Sequence, residues 1–513
     1  MNLFLFLFTL FSICVLESHS WADNRVRKFK KDFSFGVATS AYQVEGAWDK
    51  DGKGESIWDR YHHTHPEMIK DGRNGDEACD SYHKYKRDVE MLRELGVHHY
   101  KFSISWPRVL PNGLANEINE AGLEYYDNLI NELLKYNIQP MVTMYNLDLP
   151  QNLQELGGWT NPLVSQWFED YAEVLFEKFS DRVKLWITIN NPTTVCFETY
   201  SGVLAPGINS TGIGDYLCVK NVLVAHAKAY RLYESTYKKI YKGEVGISLL
   251  LNYPDTFDNK TENEQAAEKY REFTIGLYMN PIWSKYGDFP LSVRNTIAKK
   301  SKEQGYAKSR LPSFTPDEIK LIKGSSDFLG LNHYTTYLIK ATNKKYPAPS
   351  LEDDISVERT AREEWIQSQT SWLKSAPYGI YKLCLYINKM YDYPQIYVTE
   401  QGWSTTTSLN DRSRVENLRQ YLIALLFAIE DGAQVKGYTV WSLMDTVEWN
   451  AGTSERFGLY EVDFGTEEKT RKARLSALVY KRIIQKKIIE KDWEPKYWTI
   501  SISNKTNSDK DEL

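Results

Sequence analysis

Cysteine is scarce in this chain, five in 513 residues, and one of the five, Cys14, falls near the N-terminus. The four that remain, Cys79, Cys196, Cys218 and Cys384, are too few to form a disulfide scaffold. Cys196 and Cys218 stand close enough in sequence to staple one loop, a pairing that spacing alone leaves open. An excess of charge is also lacking. The 63 basic and 68 acidic side chains leave a formal net charge of −5, so no nucleic-acid-binding surface is expected. Beyond the run Leu3–Leu16, no stretch approaches the roughly 20 apolar residues of a membrane span. No Gly-x-x-x-x-Gly-Lys-Ser/Thr loop is present, nor a Gly-x-Gly-x-x-Gly after a strand, so no nucleotide or other cofactor is implied. No Pro/Gly/Ser-rich linker or low-complexity tract divides the chain, which reads as a single domain.

Aromatic residues, by contrast, make up 14% of the sequence, enough to furnish a large core. The run Leu3–Leu16 followed by Ser18-His19-Ser20 has the form of a secretory signal peptide. At the other end, Lys510-Asp511-Glu512-Leu513 matches the signal read by the KDEL receptor. The expected organisation is a cleaved signal over 1–20, a globular body over 21–500 and a tail over 501–513, with residence in the lumen of the endoplasmic reticulum. Asn209-Ser-Thr, Asn259-Lys-Thr and Asn504-Lys-Thr are glycosylation sequons expected on surface loops, whereas Asn191 is excluded because Pro192 follows it.

Eight short strand-like runs recur along the body: Phe33–Ala38, Tyr100–Trp106, Met141–Tyr145, Leu185–Ile189, Val245–Leu251, Phe328–Leu331, Ile396–Thr399 and Tyr438–Ser442. Helical periodicity fills the intervals. Tyr126, Leu129, Ile130, Leu133 and Leu134 share one helix face, and so do Val415, Leu418, Leu422, Leu425, Leu426 and Ile429 before Gly432. Apolar strands alternating with amphipathic helices predict a parallel sheet, and eight such units predict an α/β fold, a single (β/α)₈ barrel with long βα loops. Residues 470–509 read as a charged terminal helix and tail.

Chemistry in such a barrel belongs at the carboxyl ends of the strands. There the sequence places Gln43 and Glu45, Asn146 and Asp148, Asn190-Asn191, Asn332-His333-Tyr334, Glu400, Trp441, and Glu448-Trp449. Amides and acids read hydroxyl groups and tryptophan stacks on a pyranose, so the set has the composition of a sugar site and a small-molecule glycoside as its ligand. His62-His63-Thr64-His65 has no ligand cluster beside it, and no metal is expected.

Longer stretches strengthen this reading. They run Phe33-Ser-Phe-Gly-Val-Ala-Thr-Ser-Ala-Tyr-Gln-Val-Glu-Gly, Asp51-Gly-Lys-Gly-Glu-Ser-Ile-Trp-Asp, Phe102-Ser-Ile-Ser-Trp-Pro-Arg, Val398-Thr-Glu-Gln-Gly-Trp and Arg456-Phe-Gly-Leu-Tyr-Glu-Val-Asp. In these the chain resembles the family 1 glycoside hydrolases, the β-glucosidase and myrosinase family, over essentially the whole body, and Leu331-Asn-His-Tyr-Thr-Thr looks most like insect members. The resemblance implies retaining hydrolysis of β-glycosides, in which one glutamate attacks the anomeric carbon and a second protonates the leaving oxygen. It assigns Glu400 as nucleophile and Tyr334 as its hydrogen-bond partner. Gln43, Asn190, Trp441, Glu448, Trp449 and Phe457 become sugar-binding residues.

Departures from the family pattern fall in the same pocket. Asn191 stands at the acid/base position, and an amide cannot deliver a proton. Asn146-Leu147 replaces a His-Trp pair, so Asn146 stands where a sugar ligand is usual. Lys101 replaces an arginine near the nucleophile, a point charge for a rigid fork, and Thr446-Val447 replaces Asn-Phe. Three functions fit: a myrosinase-like glycosidase acting through Glu400, a transglycosylase using the same pocket, and a non-catalytic sugar- or partner-binding protein.

Overall fold

The computed structural model describes residues 27–495. The expected signal peptide, the sequon at Asn504 and the terminal Lys510–Leu513 lie outside the described residues. Each of the eight apolar runs forms a strand: β1 (Ser34–Ala38), β2 (His99–Ser103), β3 (Gln139–Tyr145), β4 (Leu185–Asn190), β5 (Glu244–Leu250), β6 (Phe328–Asn332), β7 (Ile396–Gly402) and β8 (Val435–Trp441). Neighbours pair in parallel in chain order, and β1 closes the barrel by pairing with both β2 and β8, Gly36 lying opposite His99 and Thr439. Parallel strands need long crossovers, and the intervening helices supply them. Helix Glu120–Lys135 buries Tyr126, Leu129, Ile130 and Leu133, and helix Arg412–Glu430 buries Val415, Leu418, Leu422, Leu425 and Leu426 before stopping short of Gly432. The expected (β/α)₈ barrel is thus the fold.

Two boundaries differ from the sequence reading. β2 ends at Ser103, and Trp106 opens a short helix, Trp106–Val109. Pro107 suits a first helical turn, where its missing N–H costs nothing, and the Trp106 ring stacks on Tyr171 with centroids 4.6 Å apart. The C-terminal region is more than a helix and tail: Arg471–Ala473 pairs antiparallel with Tyr460–Val462 before helix Leu475–Lys486 begins.

The main core lies between strands and helices, while Met141, Ile187 and Phe328 form a small cluster of their own. His99 packs against β1: a Cβ added at Gly36 would come within 2.2 Å of its ring. Its two ring nitrogens lie 2.8 Å from the hydroxyls of Ser34 and Thr439, and burial pushes its pKa down to about 3, so it is neutral at physiological pH. Near the strand ends, Ala38, Tyr334, Leu373, Trp403, Trp441 and Phe457 form a separate apolar cluster.

Two devices brace the loops there. Cys196 and Cys218 are disulfide-bonded, which decides the pairing left open above and ties helix Pro192–Phe197 to helix Gly214–Leu232. The loop after β8 is pinned through Asp445. Its oxygens accept from Arg474 Nη1 and Nη2 at 2.7 and 2.8 Å, from Arg456 Nη1 at 3.0 Å and from the Gly458 amide at 3.1 Å. Burial alone would raise the Asp445 pKa, but Arg474 and Arg456 outweigh it and hold the group below the ordinary value. Asp445 and the Arg474 side chain are both fully buried, so Arg474→Met would strand a carboxylate in the core. We expect a loss of about 3–5 kcal/mol, read as a lower urea midpoint. An unchanged midpoint would show that the pair is dispensable.

Candidate active site

The strand ends build one cavity. β1 runs into a short helix, Ala41–Val44, which carries Gln43. Lys101 lies within β2, and Asn146 follows β3. Asn190 ends β4, and Asn191 follows with φ +50°, a left-handed conformation that asparagine tolerates better than most residues. Asn332 ends β6 and Tyr334 follows it closely. The registers of β7 against both neighbours shift beyond Val398, the disruption expected of a bulge, which re-aims side chains. Glu400 sits there. Trp441 ends β8, and the loop beyond it carries Glu448, Trp449 and Phe457. Gln43, Asn146, Asn190, Asn191, Tyr334, Glu400, Trp441, Glu448, Trp449 and Phe457 all line a single cavity of about 820 Å³, within the size range of small-molecule sites.

At its floor the Glu400 carboxylate receives two directed hydrogen bonds, from Lys101 Nζ to Oε1 at 2.6 Å and from Tyr334 Oη to Oε2 at 2.9 Å. Lys101 does not line the cavity; it lies fully buried and also donates to Asn190 Oδ1 at 2.9 Å. Burial pulls its ammonium below the ordinary lysine pKa, with Glu400 opposing the shift. Burial and the neighbouring Glu400 charge both raise the Tyr334 phenol well above its usual value, so the phenol keeps its proton and donates.

Amides make up the wall beside Glu400. Asn190 Nδ2 donates to Asn146 Oδ1 at 3.2 Å, and Asn332 Nδ2 donates to Asn190 Oδ1 at 3.0 Å and to Asn191 Oδ1 at 2.7 Å. On the opposite side, Gln43 Nε2 donates to Glu448 Oε2 and to the Val447 carbonyl, both at 3.0 Å. Burial, with added repulsion from Glu455, pushes the Glu448 pKa up to about 8. This carboxyl therefore holds a proton to higher pH than an exposed one would. Trp449 lies parallel to Tyr42, with ring centroids 6.2 Å apart, and packs on Trp58 at 4.8 Å, which fixes its orientation at the cavity wall.

Some strand-end residues turn elsewhere. Glu45 accepts from Arg108 Nε at 2.8 Å and from Tyr126 Oη at 2.6 Å, and neither Glu45 nor Asp148 lines the main cavity. His62 lies 2.8 Å from the Tyr42 hydroxyl. Among the described residues, no group of three or more His, Cys, Asp or Glu side chains could hold a metal ion. The sequons at Asn209 and Asn259 are exposed. The sequence analysis does not single out Trp372 as part of the site. Asn332 stands there as a polar strand end, and the structure adds its contacts with Asn190 and Asn191. Trp372 lies on a long loop with no periodic signal, yet it meets the Tyr334 ring edge-on at 5.8 Å and lines the cavity.

Comparison with known proteins agrees with this architecture. The profile of glycosyl hydrolase family 1 matches residues 25–489. Myrosinase 1 of Brevicoryne brassicae is 45% identical over 461 residues, spanning 89% of this chain and 98% of that protein, and the human lactase-like protein is 43% identical over 466 residues, spanning 89% and 82%. Among solved structures, an aphid myrosinase superposes with a TM-score of 0.87 at 44% identity, over 90% of this chain and all (100%) of that one. A rice β-glucosidase mutant in a covalent complex with glucose superposes with a TM-score of 0.84 at 35% identity, over 88% and 98%. With a family profile matching nearly its full length, and relatives this similar over most of theirs, the chain belongs to glycosyl hydrolase family 1.

Proposed function

We propose that this protein acts on β-glycosides through Glu400, without a carboxylate general acid, and releases aglycones that depart without protonation. The observation that carries the reading is the pairing of Glu400 with Lys101 and Tyr334 at the cavity floor, while an amide, Asn191, stands at the acid/base position. Two donors aim the Glu400 carboxylate, and each of its oxygens retains a lone pair for the anomeric carbon. As that bond forms, the bond to the aglycone breaks and its electron pair leaves with the aglycone. Water then attacks the anomeric carbon of the glycosyl–Glu400 ester, the carbon–Glu400 bond breaks with its electron pair returning to the carboxylate, and the proton of the water passes to solvent. Without a carboxylate base this second step is slow, and a nucleophile stronger than water competes for the sugar, so transfer is the alternative fate of the same intermediate. The covalent glucose in the rice enzyme mutant is that protein's own property; it is consistent with an intermediate of this kind in the family fold.

The signals at the two ends of the sequence support residence in the lumen of the endoplasmic reticulum, held by the KDEL receptor.

Three outcomes follow. A fluoro-sugar with a dinitrophenol leaving group should label Glu400, seen by intact mass and peptide mapping, and turnover should appear for aryl glucosides of acidic phenols but not for alkyl glucosides. A panel without adduct or turnover would support the sugar-binding reading instead. Asn191→Glu should restore part of the roughly 10²–10⁴-fold contribution of a general acid to alkyl-glucoside hydrolysis. The recovery should grow more than additively with Asn146→His and Lys101→Arg, because all three act on one bound sugar; full recovery from Asn191→Glu alone would refute that coupling. Finally, removal of Lys510–Leu513 should send the protein to the culture medium, and continued retention would show that something else holds it.

A further inference from the structure

The direction of the amide chain beside Glu400 can be traced from one end. A lysine ammonium has three donors and no acceptor, so the Asn190 atom 2.9 Å from Lys101 Nζ is its oxygen, Oδ1. The Asn332 atom 3.0 Å from that oxygen must then be a donor, Nδ2, and the Asn191 atom that this same nitrogen reaches at 2.7 Å must be the acceptor, Oδ1. The other end agrees. Ser248 Oγ donates to Thr399 Oγ1 at 3.0 Å, and Thr399 spends its own hydrogen on Asn332 Oδ1 at 2.6 Å. With its oxygen occupied by Asn332, Asn191 has its Nδ2 left for the cavity that it lines.

We propose that Lys101, acting through Asn190 and Asn332, turns the Asn191 amide so that its two N–H groups face the leaving atom, making Asn332 a positioning residue and Asn191 a hydrogen-bond donor to a departing anion. This rests on the reading of Glu400 as nucleophile. No proton is transferred in the step. The Glu400–carbon bond forms, the carbon–aglycone bond breaks, its electron pair stays on the aglycone oxygen or sulfur, and Asn191 keeps both hydrogens while stabilising the new charge, in the manner of an oxyanion hole. The substrate class follows: glycosides whose aglycone leaves as a resonance-stabilised oxyanion or thiolate.

Asn332→Asp places an acceptor where Asn191 now meets a donor, so the Asn191 amide should turn its nitrogen to Asp and its carbonyl to the cavity. The full chain and this variant are compared by the burst of phenolate from dinitrophenyl and mononitrophenyl β-glucosides, with intact mass following the Glu400 adduct and circular dichroism confirming the fold. Losing a hydrogen bond to a charged group corresponds to about 10- to 100-fold in rate. That loss is expected for the more basic mononitrophenolate, with a much smaller one for dinitrophenolate. Equal losses for both substrates, or no loss, would overturn the proposal. Absence of both adduct and burst in the unmodified protein would instead overturn the reading on which it rests. Should Asn332→Asp fail to fold, Asn332→Leu removes the donor that holds Asn191, and the same selective loss must appear.

Discussion

One buried ammonium governs the arrangement of this site. Lys101 Nζ sits between Glu400 and Asn190, contributed by three different strands, and has no access to water. Burying an ion costs several kcal/mol, about 3–5 if its partner is removed, so the geometry around it is tightly constrained: a carboxylate on one side, an amide oxygen on the other. A carboxylate can accept from several directions and leaves Glu400 free to meet Tyr334 as well. An amide cannot reverse without facing a donor with a donor. The single positive charge thus polarises both Glu400 and the chain of amides beside it. An arginine at this position would offer a rigid fork of five donors; lysine offers a point, and the neighbours close around it.

The sugar and aglycone ends of the cavity rest on different supports. Glu448 and Trp449 lie on the loop pinned through the buried Asp445–Arg474 pair, Trp449 packs on Tyr42 and Trp58, and Gln43 reaches Glu448 from the short helix Ala41–Val44. Such packing restricts rotamers and favours a preformed sugar site. The wall beyond Asn191 is built from the disulfide-tied helix Pro192–Phe197, from Trp372 on a loop, and from Tyr337 and Arg359 on the antiparallel strands Thr336–Ala341 and Val357–Thr360. On the reading proposed above, the residues around Glu448 hold the sugar and Asn191 stands where the aglycone leaves. Relatives of this chain include both a myrosinase and a β-glucosidase.

The eight strands were legible because each is a short apolar run bounded by turn residues, and parallel strands buried on both faces leave that mark whatever surrounds them. Where the reading slipped, a local rule had been overlooked: Trp106 looks like strand, but Pro107 ends the ladder. Glu400 and Tyr334 were legible because motif and strand end coincide. Glu45 and Asp148 were equally prominent strand-end acids, and nothing in one dimension tells that Arg108 and Tyr126 turn Glu45 away from the cavity.

The sequence by itself determined the barrel, the alternation of helices and strands and the family, because these depend on periodicity, on residue type and on order along the chain. Only the tertiary structure decided which way the amides point, that Cys196 meets Cys218, that Asp445 anchors the sugar-side loop, and that Lys101, Asn190, Asn332 and Asn191 form one hydrogen-bonded path. Those four residues are spread over β2, β4 and the ends of β4 and β6. A hydrogen bond acts over about 3 Å, and no pattern in the sequence records a distance that exists only once the barrel has closed.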